Sequence, residues 1–422
     1  MKHILFIAPH SFPIKSSESI CNSKVAFTLA NVGYKVDVFT CSNSSTYPVD
    51  QRIDDYLKSN PNISVKTVKY GSSYFSRTAP LSKNLKSLLP NLLIFLQTGY
   101  FYNGIYIAYA ILKAVKQTIK CYGKMPYDVV VTRGFNTDIV GIYLKKKYGL
   151  KWIANWNDPF PGAKFPAPYG QGYDAKLPFF ENIVYNDIQK YADIHTFPSE
   201  RLRNYMLKCF KKVKIEQTYV IHHMAHSGLT QYFAGSKKVD GVLKLVSCGS
   251  VGKPRKPEVF LNALAISLHR FPGISVKCYF VGYYDEKLQN LVEELDLKEV
   301  VEFIPPKNYS ECMAFISSCD VSLVIETSCE EGIYLPTKVV DAVQCELPIF
   351  CVSPNVGTLR DIVNEFGIGY ASDIDDQGDV SEKIDQLLND YVKGKLPKCN
   401  KQLAPVFFED YIGIQYKTLI GK

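Results

Sequence analysis

The strongest constraint on this chain is a pattern that it states twice: a short apolar run, a turn, a helix-length amphipathic segment, then another short apolar run. Strands spaced by helices cannot pair as hairpins, so the pattern predicts parallel sheets with crossover helices. In the first half the strand-like runs are Ile4 to Ala8, Val36 to Thr40, Val129 to Val131, Trp152 to Ala154 and Ile194 to Phe197. A helix from about Asn22 to Val32, stopped by Gly33, separates the first two. The second half repeats the pattern with strands Leu243 to Val246, Val276 to Val281, Val300 to Phe303, Val321 to Ile325 and Pro348 to Val352. Its helices are expected at Pro257 to His269, Glu286 to Leu295, up to Phe315, and Thr337 to Val343.

The expectation is therefore an α/β protein of two Rossmann-like, doubly wound parallel-sheet domains, which 422 residues can readily supply. The polar stretch Gly235 to Gly241 marks the junction, giving domains 1-235 and 236-400 and a terminal segment 401-422 that ends in a helix. Ligands of open parallel sheets bind beyond the carboxyl ends of the strands, so function is sought on the loops that follow them.

Two such loops stand out. After Leu243 to Val246 comes Gly249-Ser250-Val251-Gly252-Lys253-Pro254-Arg255-Lys256-Pro257-Glu258. Its glycines admit an anion to the backbone, a helix N-terminus follows, and Arg255 or Lys256 can supply charge to a diphosphate; a plain strand-to-helix turn with a basic tip is the competing reading. The second loop runs Glu330-Glu331-Gly332-Ile333-Tyr334-Leu335-Pro336-Thr337-Lys338-Val339-Val340-Asp341. Pro336 and Thr337 open a helix, and the amides there and at Gly332 and Ile333 are expected to face phosphate oxygens. Lys338 in a first helical turn is misplaced unless an anion sits nearby. Asp341, one turn on, shares its face and suits a ribose diol.

Gly249-Ser250, Arg255 to Glu258, Glu331 to Lys338, Asp341 and Pro348 together resemble the donor half of the family-four retaining glycosyltransferases. Ile4 to Pro9, Gly33 to Val36 and Asn155-Trp156-Asn157-Asp158-Pro159-Phe160 extend the likeness over nearly the whole chain. The resemblance implies the GT-B fold, two domains facing a central cleft, with the terminal helix crossing back to the first domain. It implies a UDP- or GDP-linked sugar as co-substrate, no metal or other cofactor, and a glycan or lipid-linked acceptor in bacterial surface polysaccharide assembly. It assigns Glu331 to the transferred sugar, Arg255 and Lys338 to the diphosphate with Lys256 in reserve, and the remaining donor contacts to Gly249, Ser250, Gly332, Ile333, Tyr334, Leu335, Pro336 and Thr337. The family's second acid falls at Val339 here, so the ribose role passes to Asp341, as in relatives written Pro-Ser-Lys-x-x-Glu.

On the acceptor side His10, Glu18, Arg133, Asp158 and His223 all follow expected strands. Asp158, beside Asn157, is the candidate acceptor-positioning or acid/base carboxylate, with a turn-forming Asx role as the alternative. Relatives with two glycines after the first strand differ from this chain, which has Ser16-Ser17-Glu18-Ser19. The histidines of His222-His223-Met224-Ala225-His226 carry no apparent carboxylate or thiolate partner and are not expected to hold metal. Other readings are a nucleotide-sugar epimerase of the same fold and a non-catalytic scaffold; a dinucleotide oxidoreductase is disfavoured by the missing G-x-G-x-x-G.

Composition narrows the setting. With 46% hydrophobic and 21% charged residues the chain is globular, and its 12 scattered cysteines suit reduced thiols in a cytoplasmic protein. Net charge is +8, with lysine runs at Lys145 to Lys147, Lys211-Lys212 and Lys237-Lys238. Nucleic acid is not expected as a partner; the lysine runs are read chiefly as solvated faces, with contact to an anionic membrane surface as the alternative. Leu88 to Val115 is apolar but broken by Pro90, Asn91, Gln97 and Asn103, which predicts a helix pair on the first domain rather than a membrane span.

Overall fold

A computed structural model describes residues 1–41, 48–69, 92–101, 105–134, 137–233, 241–252 and 254–421. Two all-parallel sheets carry the chain. The first has seven strands in the order β3-β2-β1-β4-β5-β6-β7. These are β1 His3–Ile7, β2 Lys35–Cys41, β3 Ile63–Val68, β4 Val129–Arg133, β5 Lys151–Asn155, β6 Ile194–Phe197 and β7 Thr218–Val220. The second has six strands in the order β10-β9-β8-β11-β12-β13. They are β8 Val242–Cys248, β9 Ser275–Val281, β10 Val301–Ile304, β11 Val321–Ile325, β12 Ile349–Ser353 and β13 Gly369–Asp373.

The central strands are buried and largely apolar, as strands of a parallel sheet covered on both faces are. HILFI of β1, VVVTR of β4, VSLVI of β11 and IFCVS of β12 are buried along their whole length. Three strands escape such a reading. β3 is an edge strand of sequence ISVKTV, half exposed; β7 has three residues; β13 begins with a glycine and ends with an aspartate.

The chain divides into two compact units, one of Met1–Ser45, Asp54–Ile221 and Gly413–Lys422, the other of Thr46–Ile53 and His222–Ile412. The junction expected at Gly235 to Gly241 falls largely on residues 234–240, which lie outside the described residues. The units change over earlier, at Ile221/His222, because the stretch after β7 packs with the second unit. Ala225 is fully buried in that unit's core and its amide donates to the Phe407 carbonyl at 2.8 Å. The His226 amide donates to the Gln344 side chain at 2.9 Å.

The final helix, Glu409–Gly421, begins in the second unit and belongs to the first from Gly413 onward. There Lys2 and Lys151 donate to the carbonyls of Ile420 and Leu419. The return therefore starts at Gly413, later than the expected 401.

The first helix also departs from expectation. It runs Ser17–Asn31, five residues earlier than predicted, because Ser16 and Ser19 form a reciprocal capping box. The usual box ends in Glu or Gln, so the serine version carries a weak sequence signal. Glu18 thus sits in a first helical turn, where an acid is favoured by the helix dipole, and not in an open loop.

Of Leu88 to Val115, residues 92–98 and Ile105–Tyr122 are helical, while 88–91 and 102–104 lie outside the described residues. No helix among the described residues is long and apolar enough to cross a membrane.

Candidate donor site and acceptor-side residues

In the second sheet the crossovers from β8 run outward through β9 and β10, and those from β11 run the other way through β12 and β13. β8 and β11 are adjacent, so the strand order reverses between them, and the loops leaving their carboxyl ends diverge around a crevice.

The β8 loop opens at Gly249, which has φ +99° and whose amide donates to the Val281 carbonyl at 2.7 Å. A Cβ on Gly249 would stand 3.3 Å from Lys338 Cε. Behind it Gly282 must also lack a side chain, since a Cβ there would lie 2.8 Å from the Gly249 carbonyl. Close backbone packing at these two positions is what lets the Lys338 side chain lie across the loop.

Arg255 is fixed twice: its backbone makes an isolated bridge to Thr327, and its Nη1 donates to the Ser250 carbonyl at 2.8 Å. Lys338 is the second residue of the helix Thr337–Gln344, whose N-cap, Pro336, offers no side-chain acceptor. Burial pushes the Lys338 pKa down to about 8, and the positive charge of Arg255 pushes the same way. Two like charges thus converge at an uncapped helix N-terminus, an arrangement that an anion would relieve.

Asp341 accepts a hydrogen bond from the Tyr309 hydroxyl at 3.2 Å. It bears on Lys338 electrostatically, as the one-turn spacing predicts. Lys256 turns elsewhere: its Nζ lies 3.2 Å from Asp375, which also accepts from Ser328 at 2.7 Å. The Asp375 carboxyl is held below the usual carboxylate range, chiefly by Ser328 and then by Lys256.

The β11 loop corrects one expectation. The Gly332 amide does not face a phosphate position; it donates to the Val356 carbonyl at 2.9 Å, while the Gly332 carbonyl accepts from the Thr358 amide at 2.7 Å. Gly332 thus pins the loop to the one after β12. Ile333 and Leu335 are buried as side chains, so what they can offer a ligand is backbone. Glu331, Tyr334, Pro336 and Thr337 are partly buried along the same loop, and Ser250 is exposed. Sequence reasoning missed Tyr309, Asp375 and Glu326. The last follows the five buried residues of β11 directly, and a carboxyl ending so apolar a run was the available signal.

In the first unit Asp158 and Glu18 come near enough for Glu18 to raise the Asp158 pKa, though burial contributes more; the result is about 6. Asp158 keeps an exposed surface while protein crowds its carboxyl. Asn157 is partly buried, its Oδ1 without a hydrogen-bond partner among the described residues. The His10 carbonyl accepts from Asn22 at 2.7 Å.

Arg133 is buried within the unit, its Nε donating to Asn22 at 2.6 Å and its Nη1 to the Tyr416 hydroxyl at 3.3 Å. His223 is buried and belongs to the second unit, not to the first as its position before residue 235 suggested. His222 packs on the Phe407 ring, and His226 Nδ1 accepts from the Gly228 amide. Of the lysine run, Lys145 and Lys146 pair with Asp193 and Asp187, and Lys147 lies over the Tyr143 and Tyr148 rings.

Two doubly wound parallel sheets, the second with a basic crevice at its switch point, define a protein of the GT-B fold. Residues 230–402, in the second unit and its sheet, match the family described as glycosyl transferases group 1. It is 27% identical over 150 residues to the D-inositol 3-phosphate glycosyltransferase of Paenarthrobacter aurescens, spanning 35% of each chain, so about a third of that relative's length is matched. The Anabaena protein HepE, solved in complex with UDP and glucose, has a TM-score of 0.65 at 14% identity over 100% of both chains. WaaG, a glycosyltransferase involved in lipopolysaccharide biosynthesis, has a TM-score of 0.56 at 14% identity over 99% of both chains.

Proposed function

We propose that the chain moves a sugar, with retention, from a nucleoside diphosphate donor to a glycan or lipid-linked acceptor in bacterial surface polysaccharide assembly. The observation that carries this reading is the convergence of Arg255 and Lys338 at the uncapped start of the helix Thr337–Gln344. A diphosphate is the anion whose two charges match two cations. HepE was solved with UDP, and WaaG acts in lipopolysaccharide biosynthesis; both likenesses agree with the reading.

In the proposed reaction the bond from the sugar's anomeric carbon to the diphosphate breaks and a bond to the acceptor oxygen forms on the same face. The acceptor proton passes to the leaving phosphate. Negative charge grows on that phosphate, so Arg255 and Lys338 stabilise the transition state more than the ground state. Glu331 holds the transferred sugar, Asp341 the ribose, and Asp158 positions the acceptor. The two cations supply the charge that a metal would otherwise provide, and we read the reaction as metal-independent.

The setting proposed is the cytoplasmic face of a membrane. Leu92, Leu93, Leu96, Phe179 and Phe180 are exposed on the first unit, and Phe95 and Phe101 contact the Phe180 ring. Apolar side chains of this kind suit an anionic bilayer surface better than water.

The decisive experiment is a thermal-shift screen of nucleotide sugars followed by turnover with Arg255→Ala and Lys338→Ala. Each variant should keep its fold and lose orders of magnitude in turnover; unchanged donor turnover in both would discard the site. Product formed from donor alone, as an epimer, would replace transfer with epimerisation.

A further inference from the structure

The Glu326 carboxyl has no part in the reaction described above, yet it stands in the middle of the donor loops. It is the first residue beyond β11, and its amide donates to the Val352 carbonyl at 2.9 Å, which fixes its backbone at the strand ends. Its Oε2 is shut off from solvent and has no hydrogen-bond partner among the described residues, although the residue as a whole is only partly buried. That oxygen lies 3.5 Å from where a Cβ on Gly332 would stand, with Pro354 forming the adjacent wall. Arg255 is the cation that acts on it.

We propose that Glu326 is a further donor-site residue, a specificity-determining group that hydrogen-bonds a hydroxyl of the transferred glycosyl unit. This rests on the donor reading of the same loops. A buried polar atom without a partner is uncommon in folded proteins and points to a partner that arrives later. Glu326 lies within electrostatic reach of Arg255, the cation read as holding the diphosphate, and its loop leads within five residues to Glu331, the acid read as holding the sugar.

A carboxyl cannot serve a phosphate oxygen while ionised, because the charges repel. Burial holds this one largely protonated at neutral pH, pushing its pKa up to about 8 against the opposing pull of Arg255. As a neutral acid it donates through its hydroxyl and accepts through its carbonyl, the pairing that a sugar hydroxyl offers in return. A neutral carboxyl also leaves Arg255 to the diphosphate, whereas a carboxylate would compete for it.

The test separates sugar from nucleotide. Calorimetry at pH 7 would compare UDP and GDP with UDP-glucose, UDP-galactose, UDP-N-acetylglucosamine and GDP-mannose for the wild type, Glu326→Gln, Glu326→Asp and Glu326→Leu. Glu326→Leu should bind the sugar-free nucleotide as the wild type does and weaken the preferred nucleotide sugar about tenfold or more, the loss of one well-made hydrogen bond. Glu326→Gln, which keeps a donor and an acceptor at the same reach, should restore most of that binding.

Equal weakening of nucleotide and nucleotide sugar, or no weakening of either, overturns the inference. Should the leucine variant not fold, Glu326→Asp gives the same comparison, because its shorter side chain withdraws the hydrogen bond and leaves the polarity. A wild type that binds none of the six compounds overturns the donor reading and this inference with it. A wild type that binds them while the variants match it overturns the inference alone.

Discussion

Lys338 Cε lies 3.3 Å from the point where a Cβ on Gly249 would stand, so the β8 loop and the helix after the β11 loop meet through a glycine. Gly249→Ala would shift the Lys338 side chain by a few tenths of an ångström and place a side chain at φ +99°. The strain costs about 1–3 kcal/mol of stability, read by urea denaturation. Donor turnover should fall further than stability does, because the displaced group is the one on the leaving phosphate. A variant with lower stability and unaltered turnover at low temperature would show that Lys338 does not act from this position.

The lowered Lys338 pKa, to about 8, makes donor binding proton-linked. In the unfolded chain this lysine holds its proton to about pH 10.4. Between pH 8 and that value the unfolded state binds more protons, so this group makes the free protein more stable as pH rises through the window. Binding runs the other way. A diphosphate stabilises the ammonium, so UDP or GDP should take up a proton between about pH 8 and 9, and affinity should fall above it. Calorimetry in buffers of differing ionisation enthalpy measures the uptake, and Lys338→Met should abolish it. Glu326→Gln as background removes the other group that titrates near pH 8.

What the sequence disclosed follows from where the signal is local. β1, β4, β11 and β12 are buried and largely apolar, and each was legible from its own residues. Lys338 was legible because a cation in a first helical turn is anomalous by itself, whereas its pairing with Arg255 rather than Lys256 came from the family resemblance. β3 and β13 were not legible, since an edge strand needs burial on one side only and a strand of five residues that opens with glycine carries little pattern. The domain junction was misplaced because Ala225 and His226 are secured by Phe407 and Gln344, partners more than a hundred residues away that no window along the chain contains. The hydrogen bond of Arg133 was hidden for the same reason: its partner Tyr416 returns on the final helix.

Asp158 and Glu18 give an acid limb to the proposed reaction. The Asp158 pKa is raised to about 6, by burial first and by the Glu18 charge second. A carboxylate that positions the acceptor must be ionised, so kcat/KM for the acceptor should fall as pH drops through about 6. Glu18→Gln removes the repelling charge and should move that limb to lower pH, while Asp158→Asn should erase it and slow the reaction. A limb that stays in place in Glu18→Gln would separate the two groups functionally. The linked effect on folding has the opposite sense: a raised carboxyl pKa contributes stability that is present at low pH and is lost between about pH 4 and 6.

The Tyr416 hydroxyl accepts from Arg133 Nη1 at 3.3 Å inside the first unit, where both residues are buried. Tyr416→Phe deletes that acceptor with little change in volume and leaves a guanidinium hydrogen unpaired away from water. Hydrogen bonds to charged groups are worth about 1.5–3 kcal/mol, and the long geometry here favours the lower end. Arg133 keeps its shorter bond to Asn22, at 2.6 Å, so the strand end stays in place. The expected outcome is a loss of about 1.5 kcal/mol in chemical denaturation of the full chain, with faster hydrogen exchange concentrated in Gly413–Lys422 and donor affinity within about twofold of wild type. An equal loss of donor affinity would mean that this helix controls the second unit's site as well as anchoring the first.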